Sequence, residues 1–411
     1  MGTLVDLFAG CGGMSLGMEG AGFQPVFVNE ISPHALATYL RNQPEGSVVH
    51  DPDYQAKDVH DITGDDVSLK SFVSKVRDVA GDVDLVAGGP PCQGYSGIGH
   101  RRTFDLEKEL IPSNYLYREM AKVITAIQPK AFVFENVQGL LHSKWTKNGR
   151  PGEIWDAVDA EFRRIRTLKG QPYRIMSHLV HSKDFGVPQN RPRVILVGVR
   201  PDVADAAGYG GDWLADPEPS IRPPDPQELL GDLSATPWTP GGVTTHYPTE
   251  PLNEVQRRLR TRRDGSVMGK GEVLTEQEFS RHSERVQRRF GLIRRGEPVP
   301  AEMQTRKFNQ RPIPAVWPAT GPSMTVASLP DDFIHYKEDR APTVREWARL
   351  QGFPDWYEFS GPRTTGGRRR AGDPDAGIWE RDLPKFTQIG NAVPVVLAEW
   401  LGKRLKSLLD L

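Results

Sequence analysis

TLVDLFAGCGGMSLGMEGAGFQPVFVNE, residues 3–30, sets the architecture of the chain. An apolar run over 3–8 leads into glycines at 10, 12 and 13. A helical pattern begins near Gly13, and a second apolar run over 25–30 ends on the carboxylate of Glu30. That is strand, turn, helix, strand, the unit from which parallel sheets are built. Glycines in the turn let the backbone approach a ligand closely, and the N-terminus of the following helix favours an anionic group. Glu30 stands eighteen residues past Gly12. An acid in that place typically accepts hydrogen bonds from ribose hydroxyls. The stretch points to a nucleoside cofactor, with a plain glycine-rich turn as the alternative. It departs from G-x-G-x-x-G because residue 15 is Ser, which counts against a nicotinamide or flavin dinucleotide.

The unit repeats downstream. DLVAGG (84–89) reads as a strand, followed by a helix around 115–127 and the strand AFVFEN (131–136). A helix near 153–166 precedes the strands YRIMSHLV (173–180) and RVILVGV (193–199). The expected fold is α/β, a Rossmann-like doubly wound parallel sheet. Such sheets hold ligands at the carboxyl ends of their strands, where Glu30, Cys92 and Glu135 all fall.

Cys92 lies in DVDLVAGGPPCQGYSGIGHRR (82–102), one of only two cysteines, behind Pro90 and Pro91. The prolines fix φ, so the sulfur sits on a short rigid loop after a strand, a poor place for core packing and a good one for a nucleophile. Cys11, inside the glycine turn, reads instead as a small inert thiol. Glu135 follows four apolar residues, where low dielectric tends to raise a carboxyl pKa and lets it share a proton near neutral pH. Gln189, Arg191 and Arg193 alternate at the start of another strand, which sends them to one face, Arg193 best placed for the cleft. Strand-edge salt bridging is the plainer reading of these three.

The bulk numbers exclude more than they assert. A chain of 411 residues suggests two domains, three at the outside, and a net charge of −1 announces no nucleic-acid or membrane partner. Two cysteines build no disulfide scaffold and fit a reducing cytoplasm. No C-x-x-C or H-E-x-x-H spacing suggests a metal, and MGTLVDLFAG carries no signal-type or myristoylation pattern. The second half differs in character. Residues 201–251 are rich in Pro, Gly and Asp, whereas residues 256–312 hold fifteen Lys/Arg against seven Asp/Glu. Within the latter, TEQEFSRHSERVQRRFGLIRR (275–295) predicts a helix, with Thr275 and Glu278 as a capping box and Phe279, Val286, Phe290 and Ile293 on one face. A second capping box, Thr343 with Glu346, opens TVREWARLQGFPD. GPRTTGGRRRAGDPDAG (361–377) reads as an exposed loop, and the chain closes on an amphipathic helix.

DLFAGCGG, GGPPCQGYS, ENV, QNRPRV, TVREWARLQGFPD and QIGNAVP together resemble the motifs of the DNA (cytosine-5)-methyltransferases, in that family's order. The resemblance spans nearly the whole chain outside about 201–335. It implies an S-adenosylmethionine-dependent methyltransferase fold, with Phe8, Gly10 and Gly12 lining the cofactor pocket, Glu30 on the ribose and Ile31 against the adenine. Asp58 and Val59 match the pair reading the adenine edge, and Leu116, Asn391 and Val393 complete the pocket. Cys92 is then the nucleophile, Glu135 the group on cytosine N3, Arg193 the partner of O2, and Arg191 a residue orienting that site. Ser96 and the following GIGHRR belong to a loop closing on DNA. Ala392 departs from the pattern by removing a hydroxyl, and the linker between 357 and 386 is long and rich in Arg and Gly.

The resemblance further implies catalytic and cofactor binding by residues 1–200, completed by 386–411, and a target-recognition domain with hinge over 201–385. Its DNA-reading part is 201–335, where the arginines at 257–263 either hold phosphates or read guanine. The implied partners are duplex DNA and, in a bacterial restriction–modification system, a cognate restriction endonuclease. The protein is expected to be a cytoplasmic monomer with no membrane partner. Methylation of tRNA and a catalytically silent DNA-binding protein are the rival readings; the long basic insertion argues against the first, the intact Cys92, Glu135 and Arg193 against the second.

Overall fold

The computed structural model describes residues 1–91, 108–208, 214, 221–304, 310–327, 330–364 and 383–409. Its centre is a sheet of seven strands: β1 (Gly2–Leu7), β2 (Phe23–Asn29), β3 (Gln55–Ala56), β4 (Leu85–Gly88), β5 (Ala131–Val137), β6 (Arg174–His181) and β7 (Pro192–Val199). Their order is β3-β2-β1-β4-β5-β7-β6. The expected strands are all present. The expectation of a parallel sheet fails at one strand, because β7 runs antiparallel to both β5 and β6. The connection from β6 to β7 is too short for a crossover helix, so β7 returns directly and inserts between β5 and β6. One consequence serves the site: the beginning of β7 lies beside the end of β5, with Val137 paired to Arg193.

Side chains along the strands alternate between two cores. Val5, Leu7, Val86, Phe132, Phe134 and Leu196 pack beneath α4 (Asp66–Ala80), α5 (Leu116–Ile127) and α6 (Glu153–Arg164). Leu4, Leu85, Ala87, Val133, Ile195 and Val197 pack on the other face, beneath α1 (Gly13–Gly20) and the last helix, α13 (Val395–Leu409). Runs buried on both faces explain why these strands read as continuously apolar. Between α1 and α4 lie α2 (Pro33–Arg41) and α3 (His60–Thr63). The C-terminal helix returns to the N-terminal unit as expected. A Cβ at Gly17 would meet Ala398 Cβ and Val395 O at 2.5 Å, so glycine there sets the close approach of α1 and α13.

The second half carries short helices α7 (Pro201–Ala206), α8 (Pro226–Leu230), α9 (Glu254–Arg260), α10 (Glu284–Arg294), α11 (Val344–Gln351) and α12 (Lys385–Asn391). A third core, including Leu229, Leu259, Met324, Trp347 and Phe353, joins this half to Cys11 and Leu16 of the glycine turn and α1. At its centre is a fully buried ionic cluster. Arg349 pairs with Asp232 at 2.6 Å and Asp355 at 2.5 Å, and Arg260 pairs with Asp232 at 2.5 Å. The capping box of Thr343 and Glu346 opens α11 as read.

The helix expected over 275–295 begins only at Glu284, with Ser283 at its N-cap position, so Thr275 and Glu278 form no capping box and Phe279 lies outside the helix. Tertiary partners capture the preceding segment. Glu276 adopts a left-handed backbone (φ 65°), and its carboxylate takes Lys385 at 2.8 Å and the N–H of Phe359. Gln277 meanwhile bonds Glu346 and Thr343 at the start of α11. Most of the 361–377 loop, from residue 365 on, lies outside the described residues.

Candidate active site

Among the described residues, the glycine turn, Glu30, the Glu-Asn-Val strand end, Arg193 and the Asn391–Val393 stretch lie around the carboxyl ends of β1, β2 and β5. At the end of β1 the chain turns through Phe8 (φ 56°) and Gly10 (φ 57°), and Gly12 (φ 84°) caps α1. A Cβ on Gly12 would lie 2.7 Å from Tyr357 Oη and 3.0 Å from the Tyr39 ring, so only glycine fits this turn. Glu30, buried at the end of β2, accepts the Gly10 N–H (2.8 Å) and the Ser32 N–H (2.7 Å) through separate carboxylate oxygens. Burial raises its pKa against the pull of those two N–H groups. Each oxygen keeps acceptor capacity for a ligand hydroxyl. Next to it Ile31 is 61% exposed, an uncovered apolar plate at the same edge.

The remaining predicted cofactor residues divide by environment. Val393 O lies where a Cβ on Gly13 would be (2.5 Å), which brings the Asn391–Val393 stretch against the turn. Asn391 is exposed and Leu116, opening α5, is half-buried. Val59 is buried in the core under α4, whereas the Asp58 carboxylate accepts the His60 N–H (2.9 Å) and lies 2.8 Å from its ring. Cys11 is buried with its thiol on the Gln388 carbonyl at 3.4 Å, and burial pushes its pKa up. It is the inert cysteine of the sequence reading.

On the far side of β4, Glu135 of β5 and Arg193 of β7 form a buried ion pair, Arg193 Nε to Glu135 Oε1 at 2.6 Å. They lie diagonally across the β5–β7 ladder, Glu135 opposite Ile195 and Arg193 opposite Val137. Glycine at the end of β4 makes room for the carboxylate: a Cβ on Gly89 would meet Glu135 Oε2 at 3.0 Å. Asn136, pointing to the other face, donates to the Pro90 carbonyl at 3.1 Å. The Glu-Asn-Val motif thus holds the Gly-Pro-Pro turn from both sides. Cys92, Ser96 and residues 97–102 lie outside the described residues.

The expectation that Gln189, Arg191 and Arg193 share one face does not hold. β7 starts at Pro192, so strand alternation does not reach the first two. Arg191 donates to the carbonyls of Val326 and Gly390, each at 2.6 Å. Gln189 donates to Leu350 O (3.0 Å) and to the Gln351 side chain, and accepts the Val326 N–H (2.8 Å). Gln351 in turn holds the Ile389 carbonyl at 3.0 Å. These residues staple three distant motifs together, joining the segment before β7 to α11, α12 and the stretch around Val326.

Asp6 is a residue the sequence reading passed over. It lies on β1, buried, with Oδ2 lacking a partner among the described residues. Burial pushes its pKa up to about 8, with Glu19 and Glu30 adding to the rise and Ser15 opposing it. Its place in the motif was visible; the surrounding Tyr39 and acidic neighbours, brought in by the fold, were not.

On the nucleic-acid side, the arginines at 257–263 are largely engaged within the protein. Arg260 is fully buried on Asp232, Arg263 reaches Glu19 at 2.7 Å, Arg262 pairs with Glu272, and Arg257 with Glu254 at 3.3 Å. Arg260 is available neither to phosphate nor to guanine, a correction to the expectation for this stretch.

The sequence model of the family described as C-5 cytosine-specific DNA methylase matches residues 2–407. Among characterised relatives, the Type II methyltransferase M.DdeI of Desulfomicrobium norvegicum is 33% identical over 98% of this chain and 88% of its own length. M.XorII of Xanthomonas oryzae pv. oryzae is 30% identical over 98% of this chain and 84% of its own. In fold, the chain resembles a putative DNA modification methyltransferase of a prophage in E. coli, with a TM-score of 0.69, 22% identity and full coverage of both chains.

Proposed function

The chain belongs to the C-5 cytosine-specific DNA methylase family and is a DNA (cytosine-5)-methyltransferase; from that premise we propose that Cys92, Glu135 and Arg193 methylate a cytosine swung out of a specific duplex sequence. The observation that carries the assignment is the buried Glu135–Arg193 pair beside the Gly89-Pro90-Pro91 turn, which leads directly into Cys92. The biological setting we propose is the modifying half of a bacterial restriction–modification system with a cognate endonuclease. The enzyme acts as a cytoplasmic monomer, since one extruded base needs one active site. No helix among the described residues is long and apolar enough to cross a membrane.

Cytosine C5 is a poor nucleophile while its ring is aromatic. Cys92, as thiolate, adds its sulfur to C6, breaking the aromaticity and placing an electron pair on C5. Arg193 donates to O2. Cytosine N3 is an acceptor, so the Glu135 carboxyl meets it as a donor, and the two groups neutralise the charge that develops on N3 and O2. Preorganised donors of this kind supply much of the barrier reduction in enzymes. Loss of the C5 proton to a base and elimination of the Cys92 thiolate from C6 restore the aromatic ring. Since C6 is out of reach within the stack, the base must be flipped, at a cost of a few kcal/mol that protein–DNA contacts offset.

The residues of the β1–α1 turn fit S-adenosylmethionine. The Gly10–Gly12 turn admits no side chain at Gly12, Glu30 has lone pairs left for ribose hydroxyls, and exposed Ile31 suits a flat adenine. Phe8, Asp58, Val59, Leu116, Asn391 and Val393 would complete the pocket. Bound there, the cofactor supplies an electrophilic methyl group for C5. The catalytic unit proposed is residues 1–200 with 386–411, and residues 201–385 provide target recognition and hinge.

Trapping tests the proposal. A duplex carrying 5-fluorocytosine at the target, incubated with cofactor, should leave an adduct stable to denaturation and mapping to Cys92, absent in Cys92→Ser. An adduct at Cys11, or turnover without any adduct, would overturn it. Methyl transfer to tRNA in preference to duplex DNA would overturn the substrate.

A further inference from the structure

The basic span 256–312 separates, once folded, into spent and unspent charge. Arg257, Arg260, Arg262, Arg263, Arg294 and Arg295 all have carboxylate partners. Arg258, Lys270, Arg311, Arg281, Arg285, Arg288 and Arg289 have none among the described residues, and the last four cluster on α10 or just ahead of it. Positions 285, 288 and 289 are three and four residues apart, so they share one side of the helix, and 281 precedes 285 by four. Arg281, Arg285 and Arg288 are exposed and Arg289 is half-buried. Among the described residues, Arg285 and Arg289 donate to the backbone carbonyls of Glu302 and Met303. Arg289 has its pKa lowered by burial and by the like charge of Arg285. His282 sits in the same field: burial with Arg363, Arg340 and Arg289 lowers its pKa to about 4.

Glu284 opens the same helix but pairs with none of these arginines, and guanidinium groups held side by side without a paired carboxylate repel one another, an arrangement that an external polyanion relieves. The segment leading into α10 is also linked through neighbouring contacts to the start of α2. Ser280, one residue before Arg281, accepts from Arg363 at 2.7 Å, and Gly361 packs on His34 at the start of α2, just past Glu30. We propose that Arg281, Arg285 and Arg288 on and before α10 form a phosphate-tracking surface for duplex DNA. This rests on the DNA-methylating function proposed above. No base is read here: exposed guanidiniums of Arg285 and Arg288 on one helix side, with Arg281 on the segment leading into it, suit the regular backbone of a duplex, and their contribution is independent of sequence.

The test compares wild type with R281Q/R285Q/R288Q and, as a control for charge alone, R163Q/R164Q on the exposed side of α6, using a target duplex and a mixed-sequence duplex across a salt series. The triple variant should bind both duplexes about tenfold or more weakly, and its slope of log affinity against log salt should shrink by about 3, near 1 for each lost phosphate contact. Its S-adenosylmethionine affinity and its kcat at saturating DNA should match wild type, and the control should change little. If wild type methylates DNA while the triple variant keeps its affinity and salt slope, the inference fails. Loss confined to the target duplex would make these arginines base readers and also overturn it. Failure of wild type itself to methylate duplex DNA would instead remove the function on which it rests.

Discussion

Arg193 Nε lies 2.6 Å from Glu135 Oε1 across two antiparallel strands, and both side chains are about nine-tenths buried. Burial lowers the Arg193 pKa, and the Glu135 carboxylate works against that shift. The pair therefore keeps each charge compensated before substrate arrives and fixes the guanidinium and the carboxyl side by side. Glu135→Gln should lower kcat by about a hundred- to ten-thousand-fold, the usual range for a lost proton-transferring group. Affinity for S-adenosylmethionine should stay within a few-fold. Arg193→Ala leaves a buried carboxylate alone and should cost about 3 kcal/mol of stability as well as activity. Single-turnover methyl transfer and urea unfolding on the same preparations separate the two effects.

Gly12→Ala should damage cofactor binding selectively. Its φ of 84° lies in the left-handed region, which costs a residue with a Cβ about 1–2 kcal/mol. The new methyl would also press on Tyr357 Oη at 2.7 Å, whose hydroxyl donates to the Cys11 carbonyl. Calorimetric titration should show S-adenosylmethionine affinity falling tenfold or more while affinity for duplex DNA persists. Adding Tyr357→Phe relieves the clash but not the backbone strain, so the double variant should recover only part of the loss.

Much of this site was legible because its motifs are local. The glycine turn, Glu30 and the Glu-Asn-Val strand each follow from short-range patterning, and the alternating cores confirm the strands they were read from. What escaped was non-local. The direction of β7 is decided by the brevity of its link to β6, which hydrophobic patterning does not record. The segment at 275–283 has a helical pattern, but Lys385, Phe359 and Glu346 compete for its polar groups and win. Likewise nothing in the spacing of the arginines at 257–263 shows that Arg260 meets Asp232, twenty-eight residues earlier, in a dry core.

That dry core makes a third prediction. Arg349 sits between Asp232 and Asp355, all fully buried, and Tyr247 donates to Asp355 at 2.6 Å. Arg349→Met would leave Asp232 to Arg260 alone and Asp355 without its close cation, Arg345 standing 3.9 Å away, at a cost of about 3–5 kcal/mol. Burial alone would raise the Asp355 pKa, yet Arg349 holds it below the ordinary value. A depressed carboxylate stabilises the fold above its unfolded pKa, about 3.9, and that contribution is lost as pH falls through the lower folded value. The gap between wild type and Arg349→Met in chemical unfolding should therefore be widest near neutral pH and narrow below about pH 4.

Asp6 works with the opposite sign. Its folded pKa of about 8 stands above the model-peptide value of 3.8, because burial opposes the charged form and Glu19 and Glu30 add to that. Between those two values the folded state keeps a proton that the unfolded chain has released. Stability must then fall as pH rises through this window and level off once Asp6 ionises in the fold as well. Asp6→Asn imitates the protonated carboxyl in shape and has nothing to release. The variant should match wild type near pH 4 and become progressively more stable toward pH 8, by an amount on the order of a few kcal/mol. Urea unfolding of both proteins at a series of pH values measures this difference directly. Parallel curves across the series would mean that Asp6 is ionised in the folded protein throughout, with a countercharge that its surroundings in β1, α1 and α2 do not supply.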